Sequence, residues 1–280
     1  MGVRRAVELT ADEARNGAET GSPVYTLGPL IHNPKVLNDL KEMGIKIIEA
    51  PPLKNEKCAV VIRAHGISPE KENALRATGC RIVDATCPKV KASQLKAKEL
   101  ARGGYCVFLA GEASHAEIEG VFGYALCSEA PGAFCVIVDS PEKAKETAAR
   151  LIETDKYAKT ALLGQTTISE KQYNDIADAV KKFFPNLKVI NTICAAATER
   201  QNALRDLLKK TDAVIIAGGK NSANTLHLLE IAKESGKPCT LAQEAKDIPP
   251  DFFNYKTAGI CAGASTPDCV IEEIEAALKR

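Results

Sequence analysis

The chain has 280 residues, room for about two compact units at roughly 150 residues each, and with 45% hydrophobic and 26% charged residues it is neither a disordered nor a fibrous chain. Thirty-seven basic residues against 36 acidic ones leave a net charge of +1, so no global field holds it on nucleic acid or on an anionic membrane, and an anionic ligand has to be met by local groups. Ten cysteines occur without a CxxC pair, which argues against a zinc ribbon or a thioredoxin-like motif and leaves reduced thiols, some of them metal-binding, as the expectation.

In chain order, MGVRRAVELTADEAR opens with an amphipathic, charge-studded helix pattern that lacks the apolar core of a signal peptide. Nowhere do about 18 apolar residues run together, and a soluble, cytoplasmic protein is expected. Strand-like runs follow at VYTLG 24–28, AVVIRA 59–64, RIVDA 81–85, YCVFLAG 105–111, TALLG 160–164, KVINT 188–192, DAVIIAGG 212–219 and TAGICAG 257–263. Between them, SQLKAKELAR, QYNDIADAVKKFF, RQNALRDLLKK and LHLLEIAKESG have helical spacing with one apolar face, as does the closing CVIEEIEAALKR. This alternation predicts α/β layers with parallel sheets.

An internal repeat organises the chain. RIVDATC ends at Cys87 and KVINTIC at Cys194, and each cysteine is followed 24 residues later by a glycine, Gly111 in LAG and Gly218 in IAG. Four residues beyond those glycines come His115 and Ser222, and two further come Glu117 and Asn224; the corresponding glycine near the start is Gly28, with His32 four residues on. A later strand in each repeat runs out at His65, Thr166 and Ser265. Three units of 1–87, 88–194 and 195–280 result, related by pseudo-threefold symmetry, each presenting polar side chains at strand-to-helix junctions where parallel folds collect ligands. By the same arithmetic a strand and a cysteine should precede the helix that leads to Gly28, so the chain is expected to begin one step late, at Met1.

Cysteines at matched positions of a threefold repeat describe thiolates around an axis. Three thiolates would hold three irons of a [4Fe-4S] cluster and leave the fourth open to substrate. Cys58, Cys80, Cys106, Cys127, Cys135, Cys239, Cys261 and Cys269 lack that register and read as fillers. His32, His65 and His115, joined by Ser222, Asn224 and Ser265, suit a compact anion site, because imidazoles, hydroxyls, amides and helix dipoles all meet phosphate oxygens. His227, inside a helix pattern, reads as structural. A carboxyl at Glu117 is a candidate proton donor, while GGKNSAN lacks both the Walker and the dinucleotide-binding patterns.

The stretches GVRRAVEL, YTLGPLIHNP, RAHGIS, VDATCP, HAEIEG, GQTT, ICAAATERQ, GGKNSANT and AGASTPD, spread over the whole chain, resemble the 4-hydroxy-3-methylbut-2-enyl diphosphate reductase family of the non-mevalonate isoprenoid pathway. The resemblance implies a trefoil of three α/β units around a central [4Fe-4S] cluster and reductive removal of an allylic hydroxyl, giving isopentenyl and dimethylallyl diphosphates. It implies cluster ligation by Cys87 and Cys194, diphosphate binding by His32, His65, Ser222, Asn224 and Ser265, placement of His115 and Thr166 near the substrate hydroxyl, and proton donation by Glu117. It also implies electrons from a flavodoxin or ferredoxin, while the balanced charge and the lack of a long apolar run argue against a nucleic acid or membrane partner.

The chain departs from the family's first motif, Phe-Cys-x-Gly-Val-x-Arg-Ala, since MGVRRA lacks its cysteine; Ala116, Ala197 and Ala223 replace usual Pro, Thr and Ser or Gly. A rival reading is a truncated or degenerate member that binds diphosphate without a stable cluster or turnover. A zinc hydrolase is a third, disfavoured because HExxH and a tight Cys/His group are missing from the sequence.

Overall fold

The computed structural model describes residues 2–126, 133–154 and 159–279; Met1 and Cys127 lie outside them. Among the described residues there are ten α-helices and eleven strands. The opening amphipathic stretch forms helix α1 (Gly2–Thr20), which leads into β1 (Val24–Leu27). Helix α2 (Pro34–Glu42), β2 (Lys46–Ile48), β3 (Ala59–Ile62), α3 (Pro69–Thr78) and β4 (Arg81–Asp84) follow. The next segment runs α4 (Pro88–Arg102), β5 (Cys106–Ala110), α5 (Ala116–Ala125), β6 (Phe134–Val138), α6 (Pro141–Ile152), β7 (Thr160–Gly164), α7 (Glu170–Lys181) and β8 (Lys188–Val189). The last runs α8 (Ala195–Lys210), β9 (Ala213–Ala217), α9 (Ala223–Glu234), β10 (Cys239–Ala242), β11 (Ala258–Ala262) and α10 (Asp268–Leu278).

The strands form three sheets, ordered β2-β1-β3-β4, β6-β5-β7-β8 and β10-β9-β11, and every pairing is parallel. The α/β class with parallel sheets is therefore as expected. The three orders are one pattern repeated: the strand that enters first sits between the next strand and the one after it. Strands β2, β6 and β10, absent from the sequence reading, hold the same edge place in their sheets. Two of them carry a weak signal for a physical reason: β2 is largely exposed and β10 only half-buried, so their composition is not forced towards the apolar runs of the interior. FCVIV of β6 is as apolar and β-branched as the strands that were expected.

Helices cover both faces of the central strands, which is why these strands read as continuous apolar runs rather than alternating ones. In β5, Cys106, Phe108 and Ala110 pack into one core with Ile168, Tyr173 and Ile176, while Val107 and Leu109 face another with Ile118 and Val121. In β9, Ala213, Ile215 and Ala217 pack towards Val270 and Ile274, and Val214 and Ile216 towards Leu204 and Leu228. This two-sided burial fixes strand register, since a one-residue slip would exchange the two cores.

The chain divides into two compact units, one of Met1–Leu30 with Met43–Ile193 and one of Ile31–Glu42 with Cys194–Arg280. The first holds the β2-β1-β3-β4 and β6-β5-β7-β8 sheets; the second holds the β10-β9-β11 sheet and α2. Among the described residues no helix is long and apolar enough to cross a membrane.

Candidate active site

The glycines of the sequence repeat are structurally equivalent. Each ends the first strand of its sheet and donates its N–H to the end of the neighbouring edge strand: Gly28 to Ile48 O at 2.8 Å, Gly111 to Val138 O at 3.0 Å and Gly218 to Ala242 O at 2.9 Å. All three have positive φ, 71°, 156° and 153°, which a side chain would strain. The chain then turns into a helix, and the N-cap position falls to His115 for α5 and to Ser222 for α9. In the first repeat the cap is one residue later: Asn33 Oδ1 accepts from Val36 N at 3.3 Å, so His32 stands just ahead of α2.

A second set of turns follows β3, β7 and β11. The strand pairs Leu27 with Ile62, Ala110 with Gly164 and Ala217 with Ala262 set a common register, and each turn closes with the same hydrogen bond: Gly66 N to Arg63 O, Ile168 N to Gln165 O and Thr266 N to Gly263 O. In this register His65 and Ser265 are equivalent to Thr167, and Thr166 stands one place earlier, with Ala64 and Ala264. The expected equivalence of Thr166 to His65 and Ser265 is thus off by one residue. Successive residues of a tight turn point in different directions, and the one-place offset aims Thr166 at Glu117.

Glu117, at the second position of α5, is 2% exposed. Its Oε1 accepts the Thr166 backbone N–H at 2.6 Å and its Oε2 accepts the Thr166 hydroxyl at 2.8 Å. Burial raises its pKa from 4.5 to about 7, against the two hydrogen bonds from Thr166, which lower it. A carboxyl so placed is a mixture of acid and carboxylate at neutral pH, the condition a proton donor needs. Because an amide N–H only donates, the acidic proton belongs on Oε2, where it points to Thr166 Oγ1 and turns that hydroxyl from donor to acceptor.

His115 Nδ1 accepts the Glu117 N–H at 3.2 Å, which caps α5 and places the proton of the neutral ring on Nε2. His65 lies edge-on to His115, ring centroids 5.2 Å apart and planes at 82°. Two imidazoles and the Glu117–Thr166 pair therefore gather at the carboxyl ends of β3, β5 and β7.

In the other unit, Ser222 Oγ accepts the Thr225 N–H at 3.4 Å. Asn224 and Ser265 are 6% and 9% exposed, and Asn224 Nδ2 and Ser265 Oγ lack a hydrogen-bond partner. Buried donors left unpaired cost stability, and a helix N-terminus with spare N–H and O–H donors is suited to an anion. Gly219 lies directly against His32, and a Cβ there would come 2.1 Å from the His32 carbonyl oxygen, so the GGKN loop can approach α2's leading turn only as glycine. His227 pairs its Nδ1 with Glu230 at 3.1 Å on α9.

Cys87 and Cys194 occupy the N-cap positions of α4 and α8, neither thiol caps its helix, and both are partly exposed. Helix N-termini favour an anion there, as a thiolate ligand requires. In the buried thiols, desolvation pushes Cys58 and Cys261 up to about 11 and Cys106 up to about 12, and raises Cys135 as well, so these four stay protonated. Cys87 is also crowded by the start of α1, where a Cβ on Gly2 would lie 2.2 Å from its Sγ. The donor chemistry and exposure of Cys87 and Cys194 fit iron ligation.

Gln165 was not legible as a site residue. It is 1% exposed and joins the two turns around Glu117 through Glu112 N–H, which it accepts at 3.1 Å, and Thr167 Oγ1, to which it donates at 3.2 Å. Its only sequence signal is its place in GQTT, directly after a strand.

The family model described as LytB protein matches residues 1–279. The chain belongs to the LytB family. Curated LytB relatives include the 4-hydroxy-3-methylbut-2-enyl diphosphate reductase of Treponema denticola, 42% identical over 98% of this chain and 93% of that protein. The reductase of the same name from Aquifex aeolicus is 38% identical over 100% of this chain and 92% of its own length. Among solved structures, an (E)-4-hydroxy-3-methyl-but-2-enyl diphosphate reductase, the terminal enzyme of the non-mevalonate pathway, aligns with a TM-score of 0.71 at 38% identity, covering 100% of this chain and 95% of that one. The E-1-hydroxy-2-methyl-but-2-enyl-4-diphosphate reductase from Plasmodium falciparum aligns with a TM-score of 0.86 at 26% identity, covering 100% and 84%. These LytB relatives are reductases, and the sequence resemblance to that family holds.

Proposed function

We propose that the chain is an iron-sulfur reductase that converts 4-hydroxy-3-methylbut-2-enyl diphosphate into isopentenyl and dimethylallyl diphosphates. The conversion takes up two electrons and two protons and releases the hydroxyl as water. The single observation that carries the acid chemistry is the buried Glu117 carboxyl held at both oxygens by Thr166.

Cys87 and Cys194 are the residues that would hold a [4Fe-4S] cluster, which when bound supplies one-electron transfers and an open, Lewis-acidic iron. The rest falls to the protein's side chains. Asn224 and Ser265 bring unpaired donors to the diphosphate, with Ser222, His32 and His65 adding hydroxyl and imidazole contacts, so that binding energy from the non-reacting end orients the hydroxyl end. His115, with its proton on Nε2, offers a hydrogen bond near that hydroxyl. Glu117 holds a proton on Oε2 and passes it through the Thr166 hydroxyl to the departing oxygen, a relay in which the Thr166 Oγ1 gives up one proton as it receives another.

Electrons reach the site from a small one-electron carrier, a flavodoxin or ferredoxin. A second reading, diphosphate binding without turnover, draws on the orphaned donors of Asn224 and Ser265 alone. Anaerobic reconstitution with iron and sulfide, followed by assay of the allylic diphosphate with a reduced dye, tests the proposal. A visible iron-sulfur band together with both products is expected. Substrate binding with neither band nor product would leave the second reading in its place.

A further inference from the structure

We propose that Gln165 is a positioning residue: its side-chain amide ties the turn after β7 to the turn after β5 and so holds Thr166 in donating geometry on Glu117. Gln165 immediately precedes Thr166, and its own backbone is anchored, its N–H donating to Ala110 O at 2.8 Å and its carbonyl accepting from Ile168 N at 3.1 Å. From that fixed base the side chain crosses to the neighbouring turn, where Oε1 accepts the Glu112 N–H at 3.1 Å. That turn leads to the His115 cap and to Glu117. The other end of the amide, Nε2, donates to Thr167 Oγ1 at 3.2 Å, so one planar group braces the residues on both sides of Thr166.

The bridge needs a glycine beneath it. A Cβ at Gly111 would come 2.7 Å from Gln165 Oε1 and 2.9 Å from its Cβ, closer than carbon and oxygen allow without a shift. Equivalent positions in the other sheets solve the same packing differently. Arg63 lies over Gly28, 3.1 Å from where its Cβ would be, and donates Nε to Gly66 O at 3.3 Å within its own turn. Gly263 leaves the space to the hydroxyls of Thr225 and Thr266. An amide that accepts from one turn and donates to the other occurs only at Gln165 among these three positions, in the sheet that carries the Glu117–Thr166 pair.

The chemistry requires glutamine. Leucine of similar size offers neither group, and would remove the bond from the Glu112 N–H that joins the two turns. The consequence for turnover rests on the reading of Glu117 as proton donor, but the positioning itself does not.

Amide hydrogen exchange in the full chain separates the two. In Gln165→Leu the Thr166 N–H, freed from its fixed bond to Glu117, should exchange about tenfold faster or more, while core amides such as Ile176 keep their rates. In the reconstituted enzyme kcat should fall with KM held. Thr167→Val removes only the acceptor of Nε2 and should move the same amide by a smaller factor, which keeps the test open if Gln165→Leu does not fold. Unchanged Thr166 exchange in both variants would overturn the proposal, and faster exchange with wild-type kcat would overturn its role in the reaction. If the wild-type enzyme shows no turnover, the functional reading fails while the exchange comparison still decides what Gln165 does.

Discussion

Thr166 donates twice to one carboxyl group, its amide to Glu117 Oε1 at 2.6 Å and its hydroxyl to Oε2 at 2.8 Å. The two contacts differ in kind. The amide bond is fixed in direction, whereas the hydroxyl bond reverses when Glu117 is protonated, so a proton on the carboxyl sits at a defined oxygen, against a rotatable O–H. Glu117→Gln keeps size and hydrogen bonding but has no transferable proton. Substrate should still bind, measured calorimetrically, while turnover falls by a factor on the order of 100 or more.

Activity should decline as the pH rises past about 7, where Glu117 loses its proton. Stability should follow the same sign. The folded carboxyl binds its proton more tightly than the unfolded one, so this contribution is complete below the unfolded value near 4.5 and is lost as the pH rises through about 7. Thermal unfolding of the wild type between pH 5, near the low end of that window, and pH 8, roughly one unit above it, should lose more in Tm than Glu117→Gln does. Equal slopes for the two proteins would remove the buried acid from the account.

Asn224 and Ser265 carry donors unpaired in the folded protein, so replacing them should separate binding from folding. Ser265→Ala should leave Tm unchanged or raise it, because a buried hydroxyl without a partner is removed. Affinity for the allylic diphosphate should fall roughly ten- to a hundredfold, the worth of about 1.5 to 3 kcal/mol for a hydrogen bond to a charged group. A loss of Tm with no loss of affinity would mean that Ser265 serves the fold.

The cysteines should divide by position. Cys87→Ser and Cys194→Ser at the N-caps of α4 and α8 should abolish the iron-sulfur absorption after reconstitution. Cys58→Ser should retain it and show a Tm loss instead, because Cys58 is buried among Val60, Ile62 and Leu75. Absorption of wild-type intensity in either N-cap variant would reassign the ligands.

Gly219→Ala places a methyl group 2.1 Å from the backbone carbonyl of His32, a contact that only a backbone shift relieves. Diphosphate affinity should drop with this change more than with Gly236→Ala, a position with open space around it, where the positive φ of 73° should reduce Tm rather than affinity.

Much of the site was legible because repeats leave arithmetic in a chain. Cys87 and Cys194 share their distance to Gly111 and Gly218, and the structure gives each pair the same place: N-caps for the cysteines, and a hydrogen bond from glycine to edge strand. Arithmetic failed where local packing shifts a turn. Thr166 precedes the position held by His65 and Ser265, and Asn33 rather than His32 caps α2. Neither offset is visible without the strand register. Gln165 was missed for a related reason, since its partner Glu112, 53 residues away in the chain, is brought to it by how two strands lie side by side.

The sequence by itself determined the class of the fold, parallel α/β, because strands buried on both faces must be written as unbroken apolar runs between amphipathic helices. It also determined the family, through motifs spread along the whole chain. Tertiary structure alone decided that β2, β6 and β10 are edge strands: β2 and β10 are half-exposed and under little compositional pressure, and the apolar FCVIV of β6 does not by itself say where in a sheet it lies. It alone decided that α2 packs in one unit with α8, α9 and the third sheet, residues far from it in the chain. And it decided the protonation chemistry of Glu117: a glutamate in HAEIEG is an ordinary acid until burial removes water from around it and Thr166, 49 residues on, supplies the bonds that aim its proton.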